Sequence, residues 1–173
     1  IINKKHFDRL KGLIKDEKIL LGGNFDNETL KIEPTLIDVK SKNSKIMQEE
    51  IFGPILPIMT YKNIDEVIEY INDHEKPLAC YIFSSDKIIQ DKIIQKCSFG
   101  GGCINDTIMH VIPHNLPFGG VGSSGIGSYH GKYSFKTFSH EKSILNKSKS
   151  FDTSIIYYPY NKLKLKLSKL FLR

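Results

Sequence analysis

The sequence predicts an α/β fold, a parallel sheet with flanking helices, from three observations in residues 55 to 105. Apolar runs of strand length, "ILPIMTY" (55–61), "PLACYIFSS" (77–85) and "GGCIN" (101–105), alternate with two segments whose isoleucines recur at helical spacing. No internal repeat or low-complexity linker interrupts this order of strand, helix, strand, helix, strand. The chain has 173 residues and 40% apolar content, and a domain of that length buries roughly 70% of its unfolded surface, so one real core is expected.

Taken in order, "HFDRLKGLIK" carries Phe7, Leu10 and Ile14 on one stripe of an amphipathic helix, with no convincing cap at its start. "KILLGG" reads as a short strand entering a turn. "IEPTLIDV" is a second extended segment, in which Pro34 argues for a sheet edge or a strand start. After the strand at 55–61, Asn63 with Glu66 three residues on reads as a capping box. It opens a helix with Ile64, Val67, Ile68 and Ile71 on one face. Ser85 is the expected cap of "DKIIQDKIIQKC", where Ile89 and Ile93 share a face. The end of the chain, "YYPYNKLKLKLSKLFLR", predicts a short amphipathic helix after Pro159 with Leu163, Leu167, Leu170 and Phe171 on one side.

The net charge of +6 is unevenly spread: residues 142 to 173 hold eight Lys or Arg and one acid, leaving seventeen cations against eighteen acids before them. Of the 25 cations two are arginine, Arg9 and Arg173. Arginine is the usual reader of guanine, so nucleic acid is not an expected partner. Cys80, Cys97 and Cys103 form no C-x-x-C pair and fit a reducing, cytoplasmic setting. There is no run of 18 apolar residues and no signal-peptide pattern. The chain begins at Ile1, with methionines at 47, 59 and 109, which predicts a processed chain or the carboxy-terminal part of a longer one.

"FGGVGSSGIGSYHGK" (118–132) contains a literal G-x-G-x-x-G at Gly120, Gly122 and Gly125. A dinucleotide fingerprint needs a buried strand before it and a helix after it. The preceding "IPHNLPF" has two prolines, and no strand-end acid follows about twenty residues on. The residues themselves read as a tightly packed glycine turn. His110 and His114 have a metal-like spacing, but Pro113 opposes a helix that would align them, and no metal site is expected. Asn105 follows the third strand as a capping, turn or site residue. Nothing in the sequence lowers the pKa of any of the three cysteines, so each reads as structural.

"LPFGGVGSSGIGSYHGKYSFKTFSH" resembles the carboxy-terminal signature of the aldehyde dehydrogenase superfamily, in the form of the class 3 and fatty aldehyde dehydrogenase branch. "EPT" (33–35), "QEEIFGPILPI" (48–58) and "KPLACYIFSS" (76–85) match further motifs of that family, in its order, and the resemblance covers about residues 1 to 147. It implies the carboxy-terminal part of the catalytic domain (1–134), an intersubunit arm strand (135–147) and a basic amphipathic tail (148–173). By the same resemblance the dinucleotide lies on an earlier, separate domain, and the match at 120–125 is a decoy. The implied activity is oxidation of an aldehyde to a carboxylic acid with NAD or NADP, by a cysteine thiolate, a hydride transfer and hydrolysis of a thioester. The motifs of the nucleophile and the general base are not found, so no catalytic residue is expected here and the chain alone is expected to be inactive. A catalytically inactive interaction module is the alternative.

Glu50, taken alone a solvated charge before a strand, resembles the family glutamate that binds both hydroxyls of the nicotinamide ribose. Phe52 resembles the aromatic beside the nicotinamide. Phe118 resembles the aromatic lining the substrate tunnel, and Ile108 and Val111 fall where class 3 members line the aldehyde pocket; His130 is a candidate for the border of that pocket and is not assigned to the site. The arm implies a homodimer. The tail has two readings: docking on the protein's own surface, or peripheral contact with an anionic membrane.

Overall fold

Asn3 starts the first helix, α1 (Lys4–Ile14): its side chain accepts the His6 amide at 3.0 Å, which corrects the expectation of an uncapped start. The computed structural model describes residues 1–150 and 152–171. Phe7, Leu10, Leu13 and Ile14 line the buried face of α1 as the helical stripe requires.

That face packs on a three-stranded sheet of order β1 (Lys18–Leu21), β4 (Thr35–Asp38), β5 (Ile55–Ile58). Between its first two strands lies a small hairpin, β2 (Phe25–Asp26) and β3 (Lys31–Ile32). β1 runs antiparallel to β4, and β4 runs parallel to β5 with Thr35 opposite Ile55 and Asp38 opposite Ile58. Pro34 therefore precedes a central strand, the strand-start reading of the two expected. Pro57, inside β5, sits where a proline is tolerated, on the outer strand of this sheet. Phe7, Leu10 and Ile37 are fully buried here, joined by Ile32, Val39, Ile46 and Ile55; burying each such side chain contributes about 1.5–3 kcal/mol.

α2 (Ile64–Asn72) is capped by Asn63, which accepts the Glu66 amide at 3.1 Å. Glu66 answers by accepting from the Asn63 side-chain amide at 3.0 Å and the Lys62 amide at 3.2 Å, one residue earlier than the expected capping box closes. β6 (Ala79–Ile82) and β7 (Gly101–Ile104) pair in parallel, joined by α3 (Lys87–Lys96). The cap of α3 is Asp86, which accepts from Ile88, rather than Ser85; Ser84 in turn accepts from the Asp86 amide. Ile68, Ile82, Ile93 and Cys97 form the core between these elements.

The α/β class and its parallel pairing hold, but the expected continuous sheet is in two pieces: among the described residues β5 pairs with β4, and β6 with β7. The segment expected to be an arm strand differs at its start, because Phe135, Lys136 and Thr137 end a short helix, α4 (Gly131–Thr137). With no neighbouring strand among the described residues, local bonds satisfy this segment: Ser134 accepts the His130 amide at 2.9 Å, and the Thr137 hydroxyl donates to the Ser128 carbonyl at 2.6 Å. Residues 138–150 pair with no strand among the described residues. The tail forms α5 (Lys162–Phe171), started by Asn161, which accepts the Lys164 amide at 2.9 Å.

Candidate active site

The "EEIFGP" stretch is mounted on α1. Arg9 donates to the Ile51 carbonyl at 2.6 Å and to the Glu50 carbonyl at 3.5 Å, and pairs with the Glu49 carboxylate at 3.4 Å. The Glu50 carboxylate is exposed and has no hydrogen bond or ion pair among the described residues. Phe52 follows with φ +48°, a left-handed backbone rare for a bulky residue, and a ring 85% exposed. Gly53 lets this turn lie on the helix: a Cβ there would come within 2.7 Å of the Leu10 side chain. The "EPT" motif fastens the far side, since buried Thr35 donates its amide to the Pro54 carbonyl at 2.9 Å and its hydroxyl to the Glu33 carbonyl at 2.7 Å.

The other predicted residues gather beyond β7. Asn105, at φ +56°, accepts the Ser84 amide at 2.9 Å and donates to the Ser84 carbonyl at 3.1 Å, clamping the ends of β6 and β7 together. It is a turn residue. The chain then passes Ile108, a β-branched residue held at φ +64° and 64% exposed, into a 3-10 turn, Met109–Val111, that packs on β7. Val111 is half-buried within it. Phe118 is the hub of an aromatic group: it exchanges backbone hydrogen bonds with Tyr129 and meets that ring edge-on at 5.5 Å. His130 stacks on its other side at 6.1 Å, and His110 lies tilted at 5.7 Å. Glu50 and Phe52 sit on a different unit of the fold, ahead of β5.

Sequence reasoning missed several of these contacts. The Cys103 thiol lies 3.6 Å from His110 Nδ1, a polar neighbour that the strand position of Cys103 gave no sign of. Cys80 and Cys97 behave as expected of structural thiols: burial pushes both up from the ordinary thiol value, and for Cys80 the nearby Cys97 adds to it. Among the described residues no group of three or more His, Cys, Asp or Glu is placed to hold a metal ion.

The glycine loop is neither a strand end nor a phosphate cradle. Gly122 stands at φ +63° at the start of a 3-10 turn, Gly122–Ser124, whose Ser124 hydroxyl accepts the Val121 amide at 2.9 Å. A Cβ on Gly120 would collide with the Ser124 carbonyl. The spacing of the glycines thus serves close backbone packing.

The model of the aldehyde dehydrogenase family matches residues 1–144. The chain belongs to the aldehyde dehydrogenase family. It is 50% identical over 175 residues to 4,4'-diaponeurosporen-aldehyde dehydrogenase of Staphylococcus aureus, covering 100% of this chain and 38% of that relative. It is 49% identical over 174 residues to mouse (Mus musculus) aldehyde dehydrogenase family 3 member A2, covering 99% of this chain and 36% of the relative. The fold is similar to that of a substrate-bound Staphylococcus aureus AldH, with a TM-score of 0.87 at 50% identity over 100% of this chain and 38% of that one. It is also similar to a variant betaine aldehyde dehydrogenase of Staphylococcus aureus in complex with NAD+, with a TM-score of 0.71 at 28% identity over 80% of this chain and 30% of that one. This aldehyde dehydrogenase chain spans rather more than a third of the length of the relatives it matches.

Proposed function

We propose that this chain is the carboxy-terminal part of an NAD(P)-dependent enzyme that oxidises an aldehyde to a carboxylic acid. In this reading Glu50 binds the nicotinamide ribose, Phe52 packs beside the nicotinamide ring, and Ile108, Val111 and Phe118 line the path of the aldehyde. The observation that carries it is the Glu50 carboxylate, exposed and without a hydrogen bond or ion pair among the described residues, on a turn fixed to α1 and next to an exposed, strained Phe52. Two free oxygens presented together suit a vicinal diol, which donates two hydrogen bonds. When bound, the nicotinamide supplies the hydride acceptor. Glu50 holds its ribose, Phe52 limits its tilt, and the aromatic group around Phe118 keeps water from the aldehyde. The attacking thiol and the general base are assigned to another part of the enzyme: burial raises the Cys80 and Cys97 thiols, and Cys103 lies half-buried within β7, outside the family's nucleophile motif.

Glu50→Gln tests the reading in the full-length enzyme. A neutral amide grips the ribose less firmly, and misplacement by 1 Å costs on the order of 100-fold in rate. Stopped-flow cofactor reduction is expected to slow while the thermal melt stays put; an unchanged rate removes Glu50 from the site.

A cytoplasmic enzyme with a membrane-surface contact is the second half of the proposal. On the predicted apolar face of α5, Leu163, Leu170 and Phe171 are 65%, 73% and 77% exposed and Leu167 is half-buried, beside Lys162, Lys166 and Lys169 on the adjoining face. Vesicles containing anionic lipid are expected to co-sediment the protein at low salt, and failure to do so removes this contact.

A further inference from the structure

Arg9 is the single arginine in the first 172 residues. Its guanidinium meets three acceptors on one short turn: the Ile51 carbonyl at 2.6 Å, the Glu50 carbonyl at 3.5 Å and the Glu49 carboxylate at 3.4 Å. The next residue of α1, Leu10, is fully buried and lies where a Cβ on Gly53 would reach it at 2.7 Å. One turn of helix therefore grips both ends of the segment from 49 to 53, through a planar fork at one end and an apolar side chain at the other.

We infer that Arg9 is the positioning residue for Glu50, fixing the backbone from which that carboxylate reaches the nicotinamide ribose. The inference rests on the ribose-binding reading of Glu50. The ion pair with Glu49 is partly exposed, at 25% and 44%, and contributes little on its own. The two backbone carbonyls are the informative contacts. They fix the peptide units on both sides of Ile51, and the Glu49 carboxylate shares Nη1 with the Glu50 carbonyl. The cation is thus spent on the neighbouring acid, and the Glu50 side chain is left for a ligand. A lysine in this place presents a point charge and no fork, so it cannot hold both carbonyls and the carboxylate in one geometry. The sequence elsewhere uses lysine for nearly every cation, which fits a geometric demand at position 9 rather than a need for charge.

The test compares Arg9→Met, Arg9→Lys, Glu50→Gln and the double variant Arg9→Met/Glu50→Gln in the full-length enzyme. The readouts are stopped-flow cofactor reduction and dissociation constants for NAD(P) and for ADP, which lacks the nicotinamide riboside. Arg9→Met is expected to slow hydride transfer by about 10- to 100-fold, to weaken NAD(P) relative to ADP, and to leave the KM for aldehyde unchanged. Arg9→Lys is expected to fall between Arg9→Met and the parent. The double variant is expected to be no slower than Glu50→Gln, because the two residues act on one contact. A loss of fold would weaken ADP equally; in that event Arg9→Lys decides, and a parental rate and NAD(P)-to-ADP ratio for it overturn the inference. An Arg9→Met enzyme with unchanged rate and ratio, beside a slowed Glu50→Gln, overturns it and leaves the ribose reading standing. Additive losses in the double variant also overturn it. A silent Glu50→Gln defeats the ribose reading, and the inference falls with it.

Discussion

The unit built on α1 and the unit built on β6 and β7 bury apolar side chains to different degrees. Around α1, nine residues form the core, and Phe7, Leu10 and Ile37 are fully buried. Around β6 and β7 the core has four, each 6–7% exposed. The same second unit and the loops after it expose Phe83 at 67%, Ile112 at 60%, Phe135 at 74% and Phe138 at 86%. The difference follows from what each sequence segment can close within itself. α1 covers a sheet whose middle strand is flanked on both sides, whereas β6 and β7 form a pair and expose Tyr81 and Phe83. The outer strands of the first sheet also leave apolar side chains exposed, Leu21 at 63% and Leu56 at 59%, so the units differ in the depth of their cores. The first unit is the better closed of the two in its core.

Truncating one buried side chain in each core separates the two units by the largest expected effect. Leu10→Ala is expected to destabilise the first unit by about 2–5 kcal/mol, as a fully buried leucine does. Ile93→Ala, in the thinner core, is expected to cost less, about 2 kcal/mol. Urea melts followed by circular dichroism, with amide hydrogen exchange to assign each loss to its unit, make the measurement; equal costs would erase the distinction. Asn105→Ala removes both bonds to Ser84 and leaves alanine at φ +56°, a loss of about 1–2 kcal/mol confined to the second unit. Asn63→Ala deletes the cap of α2 and is expected to cost about 1 kcal/mol.

The smallest effect is in the thiols. Burial raises Cys80 and Cys97, so the folded chain keeps protons that the unfolded chain releases. Their contribution to stability is complete below the ordinary thiol pKa and is lost as pH rises through the raised folded values. Alkylation of Cys97 in the folded protein is expected to need more alkaline solution than in urea. Equal pH profiles in the two states would mean that the second core is already open.

Legibility in the sequence divides along similar lines. The stripe of α1, the Asn63 cap and the parallel strands were readable because period and cap chemistry are local. Asn3 escaped because the apolar stripe begins four residues later, and Ser84, Ser85 and Asp86 are all competent caps, so position alone did not choose among them. "YSFKTF" favours a strand by its aromatic residues and β-branched Thr137, yet with no strand beside it among the described residues, its backbone closes into α4. The split of the sheet depends on which strands meet, which periodicity does not encode. The turn that carries Glu50 was marked by its motif, while its contacts with Arg9, 41 residues away, were not: they lie in three distances and in no local pattern.

The collision that a Cβ on Gly120 would make with the Ser124 carbonyl has a consequence for how this chain tolerates change. A turn packed backbone against backbone stores its information in what is missing, so it has no side chain to trim or enlarge and no gradual route to a variant. Ile126, two residues from the end of that turn and fully exposed, is the opposite case. A library randomised across 118–132 and selected for folding would return glycine at 120 and almost anything at 126. Change within this loop therefore has to proceed through positions such as Ile126, where there is an atom to exchange.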